Sequence, residues 1–323
     1  MEECLLKLPA LKIDNLLATV PIIQGGMAIR LSTARLAAAV ALEGGIGLIA
    51  ASGMAFDELR REIRLARKLT GGKGIIGINA MVAAREFLGL LNTAISEGID
   101  LIVAGAGFSR DMFVLGRETG TPIVPIVSTA KLAKIAQSLG AAAVIVEGKE
   151  AGGHLGTKLS MREIISEVKA VVNIPVIAAG GVINGSDIVD AFKLGADGVQ
   201  MGSRFAVSEE SNGAPALKEF YLKVKPEDIV LIDSPVGYPG RAVKNPFATK
   251  SLAGEDLRPT QCDSCLKSCT RSFCIIRALS RAQQGDVDTG LVFTGERMNE
   301  IKEILPVKEI FSRLLTEVEA INV

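Results

Sequence analysis

The sequence lacks an excess of charge of either sign. Lys plus Arg and Asp plus Glu each number 36 among 323 residues, so the formal net charge is zero. Proteins that bind nucleic acid or an anionic membrane surface usually carry a basic excess. We therefore expect neither nucleic acid nor a membrane as a partner.

Long hydrophobic runs are also missing. The longest apolar stretches, such as residues 36–42 and 141–146, are much shorter than the roughly 20 residues of a membrane-spanning helix. Residues 1–12 alternate charged and apolar side chains and contain no apolar core of a signal peptide. These absences predict a cytoplasmic protein.

Cysteine is scarce and unevenly placed. Cys4 stands alone, whereas Cys262, Cys265, Cys269 and Cys274 lie within thirteen residues. Disulfides of secreted proteins join distant segments, so four crowded thiols in a cytosolic chain indicate a metal instead. The compact spacing favours a [4Fe–4S] cluster. Structural zinc, which more often uses two separated pairs, and free or paired thiols are the alternatives.

Apolar material, by contrast, is plentiful. Hydrophobic residues make up 48% of the chain and charged residues 22%, which is typical of a globular protein. The length fits one large domain, or one domain with a smaller appendage.

One pattern repeats through the first two-thirds of the chain: an apolar run, a glycine-containing turn and a helical pattern. Because the runs are continuously apolar, they indicate strands buried on both faces of a parallel sheet. Eight such units close a (β/α)8 TIM barrel; a doubly wound open sheet is the alternative. The predicted strands are residues 21–24, 46–50, 74–79, 101–104, 123–127, 143–147, 176–179 and 198–201. The predicted helices are residues 33–43, 56–69, 84–97, 110–118, 129–139, 161–172 and 185–194.

The pattern changes after Phe205. Residues 223–259 are rich in proline, the four cysteines follow, and a helical pattern runs from about Gly295 to the end. We predict a barrel over residues 1–222, a small lid-like segment over 223–292, and a helical segment over 293–323 that packs back on the barrel.

Functional groups of a TIM barrel lie at the carboxyl ends of its strands. The first predicted strand is followed by Gly25, Gly26 and Met27, where bare backbone would let a flat ring approach closely. A tight turn explains the glycines equally well. Asn79 closes the third strand, where its amide could bond the edge of a heterocycle or cap the next helix.

The loop after the sixth predicted strand carries the sharpest signal. His154 is the only histidine of the chain, and Gly152, Gly153 and Gly156 surround it. An imidazole with a near-neutral pKa suits proton donation or abstraction at physiological pH, so His154 is the catalytic candidate. Glu147, which ends that strand, orders this loop, caps a helix or pairs with a neighbouring charge.

The last two predicted strands end in glycine pairs or glycine–serine pairs. TIM barrels frequently bind phosphate with these two loops, through backbone N–H groups. Gly180 and Gly181 follow the seventh strand, and Gly202 and Ser203 follow the eighth. The two motifs together predict a phosphate site. Arg204 would support this loop or form an ion pair with a neighbouring strand.

Four segments resemble the signatures of the nitronate monooxygenase / flavin-type enoyl-acyl carrier protein reductase superfamily: residues 21–28, 147–156, 175–182 and 200–205. Weaker similarity extends through residues 210–211, 240–245 and 285–288, and the cysteine segment is the main departure. The resemblance implies bound FMN and makes His154 the catalytic residue. It also implies that the cofactor site comprises Gly25, Gly26, Met27, Asn79, Glu147, Gly152, Gly153, Gly180, Gly181, Gln200, Gly202 and Ser203.

The resemblance leaves two reactions open. The form of the first motif and of the His154 loop is closer to the enoyl reductases, in which NAD(P)H reduces an enoyl thioester through the flavin. In a nitronate monooxygenase, a nitronate reduces the flavin and oxygen completes the turnover. We expect the partner to be a small-molecule or acyl-carrier-bound substrate, and a neutral, apolar-rich barrel is compatible with a homodimer. A non-catalytic flavin or metal redox sensor is the alternative from another class.

One further pair of residues is a weaker candidate. Lys244 and Asn245 could meet the substrate or a pyridine nucleotide, or they could lie in a solvated loop.

Overall fold

The computed structural model describes residues 8–321, so Cys4 lies outside the described residues. Thirteen strands are present among them: β1 Leu11–Ile13, β2 Leu16–Ala18, β3 Ile22–Gln24, β4 Ile46–Ala50, β5 Ile75–Met81, β6 Leu101–Gly105, β7 Ile123–Val127, β8 Val144–Glu147, β9 Gly153–His154, β10 Val176–Ala179, β11 Gly198–Met201, β12 Ile229–Asp233 and β13 Pro239–Val243.

Twelve α-helices lie within the same described range. They are α1 Ala34–Leu42, α2 Phe56–Thr70, α3 Phe87–Ser96, α4 Arg110–Thr119, α5 Ala130–Leu139, α6 Met161–Lys169, α7 Gly185–Lys193, α8 Ser203–Ala206, α9 Pro215–Leu222, α10 Pro246–Leu252, α11 Ile275–Gln283 and α12 Val307–Ala320. The longest is α2, and no helix in the described part of the chain is long and apolar enough to cross a membrane. The cytoplasmic location stays a prediction.

Eight parallel strands close into a barrel in the order β3, β4, β5, β6, β7, β8, β10, β11. The predicted TIM barrel is therefore confirmed, and the open sheet is wrong. Each predicted barrel strand is present with bounds that agree within two residues. The reason is burial: in β4, for example, all five residues are buried, because one face meets the barrel interior and the other meets the helices.

Alternate strand residues enter two different cores. Ile46, Leu48 and Ile145 belong to an inner cluster, whereas Ile49 and Val146 pack with helix residues in an outer cluster. The hairpin β1–β2 contributes Leu11, Ile13 and Ala18 to the inner cluster, so it fills the amino-terminal end of the barrel. The carboxyl-terminal end is left for the site.

The segments after the barrel form a three-stranded sheet, β12-β13-β9, in which β9 comes from the loop that carries His154. Helix α12 packs on α7 and α1 of the barrel. The helical pattern predicted from Gly295 is wrong in extent, because only a 3-10 turn at Met298–Glu300 precedes α12. The three segment boundaries predicted from the sequence stay a prediction.

Helix α3 also begins three residues later than its pattern predicts, at Phe87. Arg85 N–H donates to Cys265 O at 2.9 Å, and Ala84 forms a β-bridge with Leu266. The first residues of the predicted helix therefore pair with the cysteine segment instead. Helical periodicity does not reveal such a long-range contact.

Candidate active site

The thirteen residues predicted for catalysis and cofactor binding line one cavity of about 260 Å³ at the carboxyl-terminal end of the barrel. They come from the carboxyl ends of five barrel strands and the loops after them, so only closure of the barrel brings them together. The set comprises His154, Gly25, Gly26, Met27, Asn79, Glu147, Gly152, Gly153, Gly180, Gly181, Gln200, Gly202 and Ser203.

Bare backbone forms the floor of the cavity after β3. A Cβ added to Gly26 would lie 2.2 Å from Asn79 Cβ, and one added to Gly25 would lie 3.2 Å from Gln200 Cδ. Gln200 is 9% exposed, and its Oε1 atom has no hydrogen-bond partner within the described residues. A buried carbonyl oxygen without a donor is costly, so this atom is available to a donor on a ligand.

The loops after β10 and β11 line another part of the cavity with glycine. Gly180 and Gly181 adopt φ values of 103° and 74°, which favour glycine, and no atom lies closer than 3.8 Å to a Cβ added at Gly202. Arg297 is the only Lys or Arg among the described lining residues. Its Nη1 donates to Gly181 O at 2.7 Å and to Asp187 Oδ1 at 2.6 Å. Because that guanidinium is already paired, backbone N–H groups and Ser203 are the main donors left for an anion.

One wall comes from residues that the sequence analysis missed. The segment 293–298 crosses the cavity, with Thr294 C 2.8 Å from a Cβ added at Gly152. Tyr221 Oη donates to Phe293 O at 2.8 Å and holds this segment from below. A local sequence pattern does not predict a contact between segments about 140 residues apart. The weak family similarity at residues 285–288 was the only sequence feature close to the segment 293–298.

The third side of the cavity is apolar. Helix α11 presents Ile275, Ile276 and Leu279, and the loop after β3 adds Ile29 and Leu31. The cavity therefore combines a polar, glycine-lined end with an apolar end, which is the usual composition of a small-molecule site.

His154 lines the cavity and contacts a residue of the segments that follow the barrel. Its Nε2 lies 2.8 Å from Ser234 Oγ, and its ring meets the Phe293 ring edge-on, with centroids 5.1 Å apart. Burial lowers the pKa of His154 to about 4, since a charged imidazole would lose its hydration. The near-neutral pKa expected from the sequence is therefore wrong for the protein without ligand. At pH 7 this side chain is neutral.

Glu147 is the second perturbed group, at the end of β8. Burial raises its pKa to about 8 because the carboxylate form is poorly solvated there. At pH 7 the side chain is mainly a neutral carboxylic acid, which can donate a hydrogen bond. A neutral acid does not form the ion pair that the sequence offered, whereas ordering of the His154 loop by Glu147 stays a prediction.

The four clustered cysteines lie outside the cavity. Cys262 and Cys269 are exposed, Cys265 and Cys274 are half-buried, and none of the four is in a disulfide. Across residues 8–321, no group of three or more His, Cys, Asp or Glu side chains is arranged to hold a metal ion. Burial raises the pKa of Cys265 to about 11. The arrangement thus gives no support to the predicted metal site.

Two weaker candidates have structural roles instead. Asn245 is 4% exposed; its Oδ1 accepts Ala248 N–H at 2.8 Å, so it caps α10, and neither it nor Lys244 lines the cavity. Arg204 donates through Nη2 to Val207 O and Glu303 O, at 3.0 and 2.7 Å. It therefore links the end of α8 to the segment before α12, and it forms no ion pair among the described residues.

Comparisons with known proteins agree with this geometry. The family model for nitronate monooxygenase matches residues 10–317. A 5-hydroxy-7a-methyl-1-oxo-octahydro-1H-indene-4-carboxyl-CoA dehydrogenase from Mycobacterium tuberculosis is 32% identical over 241 residues. The match covers 74% of this chain and 67% of that protein. A probable nitronate monooxygenase from Staphylococcus saprophyticus is 28% identical, covering 74% of this chain and 79% of its own.

Solved structures are similar to this chain over most of its length. FabK from Thermotoga maritima superposes with a TM-score of 0.85 at 36% identity, covering 94% of this chain and 93% of its own. A nitroalkane oxidase from Streptomyces ansochromogenes, at 23% identity and a TM-score of 0.79, shares the fold. Since the relatives are enzymes, the non-catalytic redox sensor is wrong. The chain belongs to the nitronate monooxygenase family and is an oxidoreductase.

Proposed function

We propose that this enzyme binds FMN and reduces the carbon–carbon double bond of an enoyl thioester, with NAD(P)H as co-substrate. The observation that carries the proposal is the composition of the cavity, in which His154 shares one space with a set of glycines and with apolar side chains of α11. The likeness to FabK over 94% of the chain favours this reaction.

The residues of the polar end fit FMN. Gly25, Gly26 and Asn79 would lie beside the ring system, where the unpaired Gln200 Oε1 offers an acceptor to a ring N–H. Four residues would hold the phosphate: Gly180, Gly181, Gly202 and Ser203. When bound, the flavin would supply a two-electron carrier that takes a hydride from NAD(P)H and passes it to the substrate β-carbon.

The chain's own residues would bind and orient the substrate. The apolar side chains of α11 would hold an acyl chain by excluding water from it. Neutral His154 would hydrogen-bond the thioester carbonyl, where negative charge develops as the β-carbon receives the hydride. The α-carbon then takes a proton from water, which completes the saturated thioester. The substrate is a small molecule or an acyl carrier conjugate, and a homodimer stays a proposal.

Oxidation of an alkyl nitronate by oxygen is the second candidate. The family model and the Staphylococcus saprophyticus relative favour it, and the apolar end of the cavity would accept an alkyl group. In that reaction no pyridine nucleotide is consumed, and oxygen uptake follows the nitronate.

The test compares the two reactions on one preparation. Under nitrogen, we expect enoyl thioester to drive oxidation of NADH or NADPH, and His154→Ala to lower kcat by roughly 100-fold or more while FMN stays bound. Nitronate-dependent oxygen uptake, with no nucleotide oxidation by the enoyl thioester, would favour the second candidate. Unchanged turnover in His154→Ala would remove His154 from the mechanism.

The [4Fe–4S] cluster at the four cysteines remains a separate proposal, and no reaction step is assigned to it. Its only support is the spacing of Cys262, Cys265, Cys269 and Cys274 in the sequence, because the arrangement of the described side chains adds none. Iron and acid-labile sulfide in anaerobically purified protein, lost in Cys269→Ser, would support the cluster. Zinc alone, or no metal, would contradict it.

A further inference from the structure

The backbone of His154 belongs to the appendage rather than to the barrel. In the sheet β12-β13-β9, His154 pairs with Gly240, and Gly153 pairs with Arg241. Leu155 N–H donates to Pro239 O at 2.9 Å, so residues on both sides of the histidine are tied to β13. Ser234 is the first residue after β12, the other neighbour of β13. The sheet therefore sets the distance between Ser234 and the imidazole.

The hydrogens of this contact can be counted. Ser234 is 4% exposed, and its Oγ lies 2.8 Å from His154 Nε2 and accepts Val236 N–H at 3.4 Å. A serine hydroxyl has one hydrogen to donate. If Nε2 carried the proton, that hydroxyl would have no acceptor among the described residues. If the hydroxyl donates to Nε2, every buried polar atom of the contact is satisfied.

The other ring nitrogen is left for a ligand. His154 lines the cavity, and its Nδ1 has no hydrogen-bond partner in the described part of the chain. No carboxylate among residues 8–321 hydrogen-bonds the ring, and burial alone displaces its pKa. The ring is therefore neutral, and the hydroxyl is what distinguishes its two nitrogens.

We propose that Ser234 is a positioning residue that fixes His154 as the Nδ1–H tautomer and thereby presents Nδ1–H to the substrate. A neutral imidazole then acts as a hydrogen-bond donor to the oxygen that gains negative charge, not as an imidazolium acid. The role of Nδ1–H rests on the proposed function, because it needs a substrate oxygen. The assignment of the tautomer does not rest on the proposed function, because it follows from the contact with Ser234.

Nuclear magnetic resonance tests the tautomer directly, because His154 is the only histidine in the sequence. In FMN-loaded protein labelled with 15N-histidine, long-range 1H–15N correlations at pH 7 distinguish the protonated nitrogen from the bare one. We expect a protonated Nδ1 and a bare Nε2. A protonated Nε2 in the wild-type protein overturns the proposal, and this measurement needs no variant to fold.

Two variants then test the hydroxyl. Ser234→Ala should shift the population towards Nε2–H and lower kcat about tenfold or more, with a smaller change in KM, whereas Ser234→Thr should restore the wild-type spectrum and most of kcat. An unchanged tautomer in Ser234→Ala also overturns the proposal. Ser128→Ala is the matched control. Ser128 Oγ donates a hydrogen bond to Gly156 O at 3.2 Å, so it holds the loop that carries His154 without contacting the histidine.

The failure of this inference is distinguishable from the failure of the proposed function. If no enoyl thioester is reduced but the spectrum shows Nδ1–H, the proposed function is wrong and the positioning role of Ser234 holds. If the thioester is reduced and the spectrum shows Nε2–H, the proposed function holds and the positioning role of Ser234 is wrong.

Discussion

The α-carbon of Gly26 packs directly against the side chain of Asn79, so that a Cβ added at residue 26 would lie 2.2 Å from Asn79 Cβ. Gly26 follows β3 and Asn79 lies within β5, yet both line the cavity. Gly26 is thus required by the protein's own packing, in addition to any close approach of a ligand.

We predict that Gly26→Ala loses FMN because Asn79 must move. The substituted methyl group cannot be accommodated without a shift of the β5 end, since real Cβ atoms do not approach so closely. Measured by flavin fluorescence after gel filtration, the variant should retain little FMN and unfold at a lower temperature. Full FMN occupancy with an unchanged unfolding temperature would contradict the packing argument.

Gly202→Ala is the matched comparison at the loop after β11. The atom nearest to a Cβ at residue 202 is Met27 Sδ at 3.8 Å, so the substitution costs the protein no clash. We expect normal folding of the apoprotein but FMN affinity lower by about tenfold, because the methyl group covers backbone that would face the phosphate. Unchanged FMN affinity would show that the phosphate does not bind at the loop after β11.

A pH-dependent difference in stability is predicted for Glu147. Its folded pKa of about 8 lies above the unfolded value, so the native state binds more protons between about pH 4.5 and 8. Stability contributed by this group therefore falls as pH rises through that window. Relative to Glu147→Gln, the wild-type apoprotein should lose stability from pH 5 to pH 8, as measured by urea unfolding.

Glu296→Gln serves as the control for this titration. Glu296 lines the same cavity, but its side chain is 43% exposed. We expect its amide variant to keep the pH dependence of the wild-type protein. If Glu147→Gln behaves in the same way as this control, the carboxyl of Glu147 is not protonated in the folded state.

Arg241 clamps the loop that carries His154. It is 9% exposed and donates through Nε to Ala151 O at 3.2 Å and through Nη2 to Lys149 O at 2.6 Å. Lysine keeps the charge but cannot span both carbonyls. We predict that Arg241→Lys costs about 2 kcal/mol of unfolding free energy and lowers kcat.

The control for that substitution is Arg258→Lys, at an arginine whose side chain is 72% exposed and paired with Asp256. An exposed ion pair contributes little, so stability and kcat should stay within error of the wild type. Equal effects of the two substitutions would mean that the clamp on the His154 loop has no special role.

The barrel and its strand ends were predictable because they follow from local patterns. Runs such as Ile46–Ala50 are apolar throughout, and the glycines of the site stand next to them in the chain. The two-residue strand at His154 was not predictable, since its pairing depends on Gly240. The lowered pKa of His154 likewise results from burial by distant segments, including Phe293.

The most direct test of the account is the visible spectrum of protein purified without oxygen, recorded before and after stoichiometric NADH or NADPH and then an enoyl thioester. We predict a flavin band that the nucleotide bleaches and the enoyl thioester restores. A flavin band that ignores both nucleotides but bleaches with an alkyl nitronate would contradict the proposed reaction. Protein without flavin would contradict the assignment of the cavity itself.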